Sequence, residues 1–300
     1  MNRIQANLLL LLAAMIWGSA FVAQQVGTGS LGTISFTGAR FMVGALVVLP
    51  FALLQFRRVH NTERTFVKGD WLILAVTGMV LYLAAALQQY GILHTTVTNA
   101  GFLTAIYVPM VPVIGLLLLR KKVHWSVWPA SIGCVIGTYI LNGGRYAELQ
   151  MGDYWVLTST LFWASHVLLV GYIVSRTRAP LVVATTQFFV CGFVGLGVGF
   201  IVEQPALADF TSALFGIGYV GIFSVGMAFT LQVVGQRYTP AADAAIILSS
   251  ETVFAAIAGA FFLGERLSLF QMSGAALILS GIVAVELLPL TRLGKPKPLE

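Results

Sequence analysis

The sequence predicts an all-α polytopic membrane protein with ten transmembrane helices. Of its 300 residues, 58% are hydrophobic and only 9% are charged, and the mean hydropathy is +0.89, whereas a soluble domain has roughly 25% charged residues. The apolar residues fall into ten long runs, and the basic residues concentrate in every second segment between those runs. In lipid, a single span satisfies its backbone groups only as a helix, so each run is predicted to be helical.

The ten runs are separated by short polar breaks. Their approximate bounds are 4–26, 33–55, 70–90, 96–119, 125–142, 153–175, 182–202, 211–235, 241–263 and 268–288. The first run is too long for the hydrophobic region of a signal peptide, so it is predicted to be the first membrane helix. Residues 289–300 are predicted to form a cytoplasmic tail.

Basic residues alternate between the two sides of this arrangement. With the N-terminus in the cytoplasm, 14 of the 17 basic residues fall in inner segments, and Arg145 and Arg266 are the ones in outer loops. An excess of lysine and arginine marks the cytoplasmic side. Both termini are therefore predicted to be cytoplasmic, which requires an even number of helices.

The second half of the chain repeats the first at an offset of 144 residues. Nine identities coincide without a gap, among them Gln88 with Gln232 and Gly91 with Gly235. The predicted units are an N-terminal five-helix repeat at 1–142 and a C-terminal one at 152–288, joined by a periplasmic linker at 143–151. Because five is odd, the second unit enters the membrane from the opposite side, an architecture suited to alternating access around a central site.

The sequence contains no enzyme motif. It has no metal-ligand spacing, no phosphate-binding glycine loop and no nucleophile elbow, so no catalytic residue, metal or cofactor is predicted. Cys134 and Cys191 fall within apolar runs and are predicted to be buried thiols. The basic residues lie between apolar runs rather than on one basic face, so nucleic acid is not a predicted partner.

Polar side chains at membrane depth are costly, and each is a candidate site residue. At the repeat offset Asn99 corresponds to Asp243, and Tyr107 corresponds to Glu251, which follows Ser250. The alternative for Glu251 is a buried carboxyl group that is either protonated or bonded to a neighbouring helix. For Asp243 the favoured interpretation is a carboxylate in the first helical turn, near the positive end of the helix dipole.

Arg40 lies inside the second run and needs a partner there. A substrate carboxylate is one hypothesis; a structural pair or a side chain reaching the outer headgroups is the favoured alternative.

Trp17 and Trp163 lie near the middle of their helices at related repeat positions, which suits a cavity wall better than an interfacial belt. Ordinary packing is the alternative. The other predicted cavity residues are Phe21, Gln24, Tyr82, Gln89, Tyr90, His166 and Gln232. Such a lining favours small amphiphilic solutes, including ammonium compounds, over inorganic ions.

Pro109 and Pro112 lie within the fourth run, where proline removes a backbone hydrogen bond. They predict either a hinge or a fixed kink. The corresponding residues of the second half are Val253 and Ala256.

The turn Leu263-Gly-Glu-Arg-Leu267, followed by Gln-x-x-Gly-x-x-Leu-Ile-Leu-x-Gly over 271–281, resembles the EamA-type branch of the drug/metabolite transporter superfamily. The resemblance covers essentially the whole chain. It implies a multi-pass carrier of the bacterial inner (plasma) membrane, and the aromatic lining is most similar to that of amino-acid exporters of the YddG type.

The implied function is export of amino acids or related small amines by alternating access, with a small-molecule substrate and the lipid bilayer as partners. Ten helices already close around one site, so a monomer is expected to suffice. The alternatives are transport of another small organic metabolite, such as a vitamin, nucleoside or cationic drug, and a membrane scaffold or receptor that transports nothing.

Overall fold

The computed structural model describes residues 1–60, 66–95, 97–120, 122–144, 150–263 and 266–290, and every long element in these ranges is a helix. In chain order the elements are α1 (Arg3–Val26), α2 (Thr33–His60), α3 (Lys68–Leu93), α4 (Val97–Thr104), α5 (Tyr107–Leu119), α6 (Val127–Leu141), α7 (Met151–Thr177), α8 (Pro180–Val202), α9 (Leu207–Ser212), α10 (Leu214–Tyr219), a π-helix (Val220–Phe229), α11 (Thr230–Gln236), α12 (Ala241–Leu248), α13 (Glu251–Leu263), α14 (Leu269–Leu287) and a 3₁₀ turn (Leu288–Leu290).

Within the described ranges, nine helical stretches are long and apolar enough to cross a membrane. A further apolar helix, Val127–Leu141, is shorter. These helices confirm the predicted all-helical polytopic membrane protein.

Helices from the two halves of the chain pack directly against each other. The most extensive pairs are α2 with α8, α3 with α7, and α6 with α14. A Cβ atom at Gly38 of α2 would lie 2.3 Å from the backbone nitrogen of Leu196 in α8, and one at Gly274 of α14 would lie 2.4 Å from the carbonyl oxygen of Gly137 in α6. Glycine thus permits close helix approach, which is how helices associate in lipid.

The fourth and ninth runs are each broken into two helices. The sequence predicts one continuous helix for 96–119 and another for 241–263, but α4 and α5 are separated at residues 105–106, and α12 and α13 at 249–250. At each break the backbone hydrogen bonds tighten from i→i−4 to i→i−3, as from Ile106 N–H to Leu103 O (3.1 Å) and from Ser250 N–H to Ile247 O (3.2 Å). Such a tightened turn inside a helix commonly marks a functional position.

The eighth run is helical throughout but not uniformly α-helical. Its middle, Val220–Phe229, is a π-helix between α10 and α11. The corresponding residues of the first half, 76–85, belong to the regular helix α3. The two halves therefore differ in the backbone that carries their third membrane segment.

Candidate functional site

A central cavity with a volume of about 60 Å³ lies among the helices of both halves. Its volume admits a few water molecules. It is lined by Trp17, Gln24, Arg40, Gln88, Thr104, Tyr107, Trp163, Val167, Ser224, Phe229, Gln232, Leu248 and Glu251.

The two helix breaks meet at this cavity. Thr104 and Leu248 end the helices before the breaks, Tyr107 and Glu251 begin the helices after them, and all four line the cavity. Thr104 and Leu248 are 144 residues apart in the sequence, and so are Tyr107 and Glu251. Gln88 and Gln232 have the same separation and also line the cavity. The positive N-terminal ends of α5 and α13 therefore lie at the cavity.

An aromatic wall forms one side of the cavity. Trp17 and Phe229 meet edge to face with ring centroids 4.6 Å apart, and Trp163 stacks on Phe229 at 5.8 Å. The indole N–H of Trp17 donates to the carbonyl oxygen of Ser224 at 3.2 Å. The indole N–H of Trp163 is buried and has no hydrogen-bond partner among the described residues. The wall is thus apolar, and the indole N–H of Trp163 is a hydrogen-bond donor in it without a partner among the described residues.

Arg40 of α2 lies at the cavity almost completely buried, with 4% of its surface exposed. Its Nη1 donates to Gln24 Oε1, and its guanidinium carbon lies 5.7 and 5.5 Å from the ring centroids of Phe36 and Phe41. Its Nε–H has no partner in the described part of the chain. A structural ion pair, the favoured alternative from sequence, is absent within the described ranges.

Glu251 is the first residue of α13, and 7% of its surface is exposed. A Cβ atom at Gly18 would lie 2.7 Å from the carbonyl oxygen of Glu251, so α1 approaches α13 closely at this position. Across the cavity, the Tyr107 hydroxyl donates a long hydrogen bond of 3.4 Å to Ala245 O.

Seven of the residues predicted from sequence line the cavity. They are Trp17, Gln24, Arg40, Tyr107, Trp163, Gln232 and Glu251.

Other predicted residues support the wall from behind. Gln89 donates to the carbonyl oxygen of Gln24 at 2.9 Å. His166 is fully buried, with Nε2 lying 2.7 Å from Gln187 Oε1. Tyr82 belongs to the apolar core beside α7 and α8.

The remaining predicted residues lie elsewhere. The cavity prediction is wrong for Tyr90, which is 41% exposed and stacks on His94. Ser250 is buried in the break after α12, and its hydroxyl donates to Ile247 O of that helix. Asn99 is half-buried and is not among the residues that line the cavity. The Phe21 side chain lies outside the part of the chain that the structure describes.

Asp243 lies in the first turn of α12, as predicted from sequence. Its Oδ2 accepts a hydrogen bond from Arg3 Nη2 at 2.7 Å, and the same Arg3 nitrogen lies 3.0 Å from Glu286 Oε1. Asp243 is therefore an ion-pair partner of the N-terminus of α1 and does not approach Arg40.

Six lining residues were not predicted from sequence. Gln88 was within reach, since it matches Gln232 at the repeat offset, and the same spacing relates Thr104 to Leu248. The sequence gives no such signal for Val167 of α7. Nor does it give one for Ser224 and Phe229, because the π-helix that presents them has no recognisable pattern in this sequence.

A second, larger cavity of about 340 Å³ lies beside the first. Pro112 lines it, as do the cations Lys122 and Arg237. Gln236 also lines it, and accepts a hydrogen bond from Gln232 of the central cavity at 3.1 Å. This glutamine pair lies between the two cavities.

Within the described residues, no group of three or more histidine, cysteine, aspartate or glutamate side chains is placed to hold a metal. Cys134 and Cys191 are free and buried.

A multi-pass helical protein with a buried central cavity at two broken helices has the architecture of a membrane transporter. The chain belongs to the EamA-like transporter family, whose sequence profile matches residues 4–143 and again 150–287.

Relatives agree with this assignment. An uncharacterized transporter of Archaeoglobus fulgidus is 31% identical over 295 residues, covering 95% of this chain and 87% of the relative. The Bacillus subtilis uncharacterized transporter YwfM is 24% identical, covering 94% of both chains. A protein crystal structure shares the fold with a TM-score of 0.76 at 16% identity, covering 96% of this chain and 98% of the other.

Proposed function

We propose that this protein is a secondary transporter that exports amino acids or related small amines by alternating access, with the central cavity as its substrate site. The observation that supports this most is the combination of an aromatic wall with one buried cation and one buried carboxyl group at the same cavity. Aromatic faces attract ammonium groups and the apolar parts of amphiphilic solutes.

Alternating access requires two conformations related by the symmetry of the halves. The matching breaks at residues 105–106 and 249–250 support an inverted repeat with units at 1–142 and 152–288. The cavity then lies on the pseudo-symmetry axis, where a substrate is reached from either side. We further propose that both termini face the cytoplasm, and that in a bacterium the protein resides in the inner membrane.

The two ends of the molecule differ in closure, which favours a state closed on the outside. At the proposed outer end, the Glu203 carboxylate accepts hydrogen bonds from the backbone N–H groups of Ile34 (2.9 Å) and Ser35 (2.8 Å). Ser30 Oγ donates to Asp209 Oδ1 at 2.7 Å. The 340 Å³ cavity lies at the proposed inner end, where Lys122 and Arg237 line it.

Counterflow in proteoliposomes tests the function. Liposomes preloaded with one unlabelled amino acid should take up the same labelled amino acid saturably, whereas protein-free liposomes should not. Trp163→Ala should lower the initial rate, and Tyr90→Ala, an exposed aromatic residue outside the cavity, should leave it unchanged. Absence of saturable counterflow for all twenty amino acids and their amines would refute the proposal.

A further inference from the structure

The larger cavity has two positive charges in its wall. Its lining comes from α5 and the loop after it, from α7, and from the segment that leads into α12. Among the described residues this lining includes Lys122 and Arg237 but neither aspartate nor glutamate. Neither cation forms an ion pair with a described residue, and the Arg237 guanidinium carbon lies 5.2 Å from the ring centroid of Tyr238. Two uncompensated cations at one cavity attract an anion.

The described carboxylates at this end of the molecule already have partners outside the cavity. Arg3 pairs with Asp243 at 2.7 Å and with Glu286 at 3.0 Å. Arg176 pairs with Asp70 at 2.5 Å. None of these five side chains lines the cavity. Because these acidic groups are already paired, the charge of the two cavity cations is available to a ligand.

The start of α12 adds hydrogen-bond donors to the same cavity. Pro240, Ala241 and Ala242 line it, and no side chain caps this helix. The first backbone N–H groups of a helix have no partner within the helix and lie at the positive end of its dipole. Phosphate groups bind readily to such N–H groups. The donors therefore add to the two cations and favour a phosphate group as the anion.

The cavity adjoins a surface of α5 that faces lipid. Gly115 lines the cavity, and Leu118, about one helical turn further on, is 76% exposed on a helix that is apolar enough to span the membrane. Val111, Pro112 and Leu168 make part of the cavity wall apolar. The volume of 340 Å³ lies in the range of small-ligand sites, roughly 300–1,000 Å³. A phospholipid headgroup in this cavity thus leaves its acyl chains beside α5.

We propose that the larger cavity binds the headgroup of an anionic phospholipid, with Lys122 and Arg237 contacting its phosphate. In the orientation proposed above, this end of the protein meets the cytoplasmic leaflet, which is rich in anionic lipids. The site is separate from the central cavity and does not depend on which solute is transported. The bound headgroup lies next to Gln236, which accepts the hydrogen bond from Gln232 of the central cavity.

The test measures binding of short-chain lipids to delipidated protein in dodecyl maltoside, a neutral detergent, with protein-free micelles as the blank. Titration calorimetry compares dihexanoylphosphatidylglycerol, which has a net negative charge, with dihexanoylphosphatidylcholine, which has the same chains and phosphate but no net charge. A third ligand, glycerophosphoglycerol, has the anionic headgroup without acyl chains. Wild type should bind one phosphatidylglycerol per protein, about 10- to 100-fold more tightly than either other ligand.

A double variant assigns the phosphate to the two cations. Lys122→Gln combined with Arg237→Gln should weaken phosphatidylglycerol binding about 10- to 100-fold, to the affinity of phosphatidylcholine, because it removes both charged donors. The matched control combines Arg57→Gln with Arg58→Gln. It removes the same charge from exposed positions near the end of α2 that do not line the cavity, and it should leave all three affinities unchanged.

Each outcome decides the proposal. If wild type binds both lipids equally, the net charge of the headgroup plays no part and the proposal is wrong. It is also wrong if the double variant keeps the wild-type affinity or if the control variant loses as much. If glycerophosphoglycerol binds as tightly as phosphatidylglycerol, the cavity is a site for soluble phosphate compounds and not for lipid. The comparison of ligands on wild type stands even if a variant does not fold.

This result is independent of the transport assay. Lipid binding without any counterflow would refute the proposed function and leave the lipid site in place. Counterflow without selective binding of phosphatidylglycerol would do the reverse.

Discussion

The helix breaks at residues 105–106 and 249–250 have the same geometry but are built from different chemistry. In each half a helix of 8 residues precedes the break and one of 13 residues comes after it. In the first half, Pro109 has no N–H to bond to the carbonyl oxygen of Ala105, which accepts instead from Val108 N–H at 3.1 Å.

The second half achieves the break without proline. The hydroxyl groups of Ser249 and Ser250 donate to the carbonyl oxygens of Ile246 and Ile247, both at 2.7 Å. The Thr252 hydroxyl donates to Ser249 O at 2.9 Å. Side-chain hydroxyls thus bond to carbonyl groups at a turn where the regular backbone pattern is interrupted.

Two routes to one backbone geometry indicate that the position of the break matters more than the residues that make it. Each break frees N–H groups at the start of a half-helix beside the cavity. The halves differ in the residue that begins this half-helix, since α5 begins with the neutral Tyr107 and α13 with the acidic Glu251. The second half therefore places a carboxyl group at the cavity, and the first half places Arg40 there.

The largest expected effect concerns these two residues at the starts of α5 and α13. Glu251→Gln should slow amino-acid counterflow about 10- to 100-fold, because it removes the carboxyl group that the described residues place at the cavity. Tyr107→Phe should slow it less than about 5-fold, since the phenol makes only a long hydrogen bond of 3.4 Å. Initial rates in proteoliposomes decide the comparison; equal losses would show that the two breaks contribute alike.

Exchanging residues between the halves should have the next largest effect. Pro109→Val introduces the residue of the second half and supplies an N–H for the Ala105 carbonyl, so the free energy of unfolding should rise by about 1 kcal/mol. Counterflow should fall several-fold because the break is stiffened.

The control for that exchange is Pro112→Ala, which also introduces the residue of the second half, here Ala256, but lies beyond the break. It should stabilise the protein similarly, as measured by chemical denaturation in detergent, with little effect on counterflow. Equal slowing by both substitutions would contradict a special role for the break.

A smaller effect, on stability, should distinguish the two glutamines that correspond at the repeat offset, Gln88 and Gln232. Gln88 donates to Thr104 Oγ1 at the first break at 2.9 Å, whereas Gln232 donates to Gln236. Gln88→Leu should therefore lower the free energy of unfolding by about 1 kcal/mol. Gln232→Leu should lower the free energy of unfolding by less than Gln88→Leu does, because the Oε1 atom of Gln232 already has no hydrogen-bond partner among the described residues. Thermal unfolding followed by circular dichroism measures both changes in stability. A larger destabilisation by Gln232→Leu would mean that the glutamine of the second half contributes more to stability.

The smallest effect is expected at the hydroxyls of the second break. Ser249→Ala and Ser250→Ala each remove one short hydrogen bond to a carbonyl, and each should destabilise by less than about 1 kcal/mol. Ser273→Ala, which removes a comparable hydroxyl from exposed α14, is the control. A loss of counterflow in Ser250→Ala without a loss of stability would mean that this hydroxyl contacts substrate.

Much of the fold was predictable because membrane helices are long and apolar. The repeat offset of 144 residues predicted the pairing of Tyr107 with Glu251, and both line the cavity. Pro109 and Pro112 predict a hinge or a kink in the fourth run but not its division into two helices at 105–106. The sequence does not predict the break at 249–250, because serines occur in continuous membrane helices as well. Tyr90 was assigned to the wrong side for a related reason: lipid and protein interior are both apolar, so hydrophobic periodicity does not tell the two faces of a helix apart.

The amino-acid sequence establishes that this chain is a polytopic helical membrane protein. It also predicts a repeat at an offset of 144 residues and a set of polar candidate residues within the apolar runs. Which of those polar residues share one cavity depends on how the helices pack. That packing placed Arg40 and Glu251 at the cavity, gave Asp243 to Arg3, and brought Phe229 into the wall through a π-helix. Composition sets the free energy of transferring a segment into lipid, whereas packing against neighbouring helices sets the rotation of each helix about its own axis.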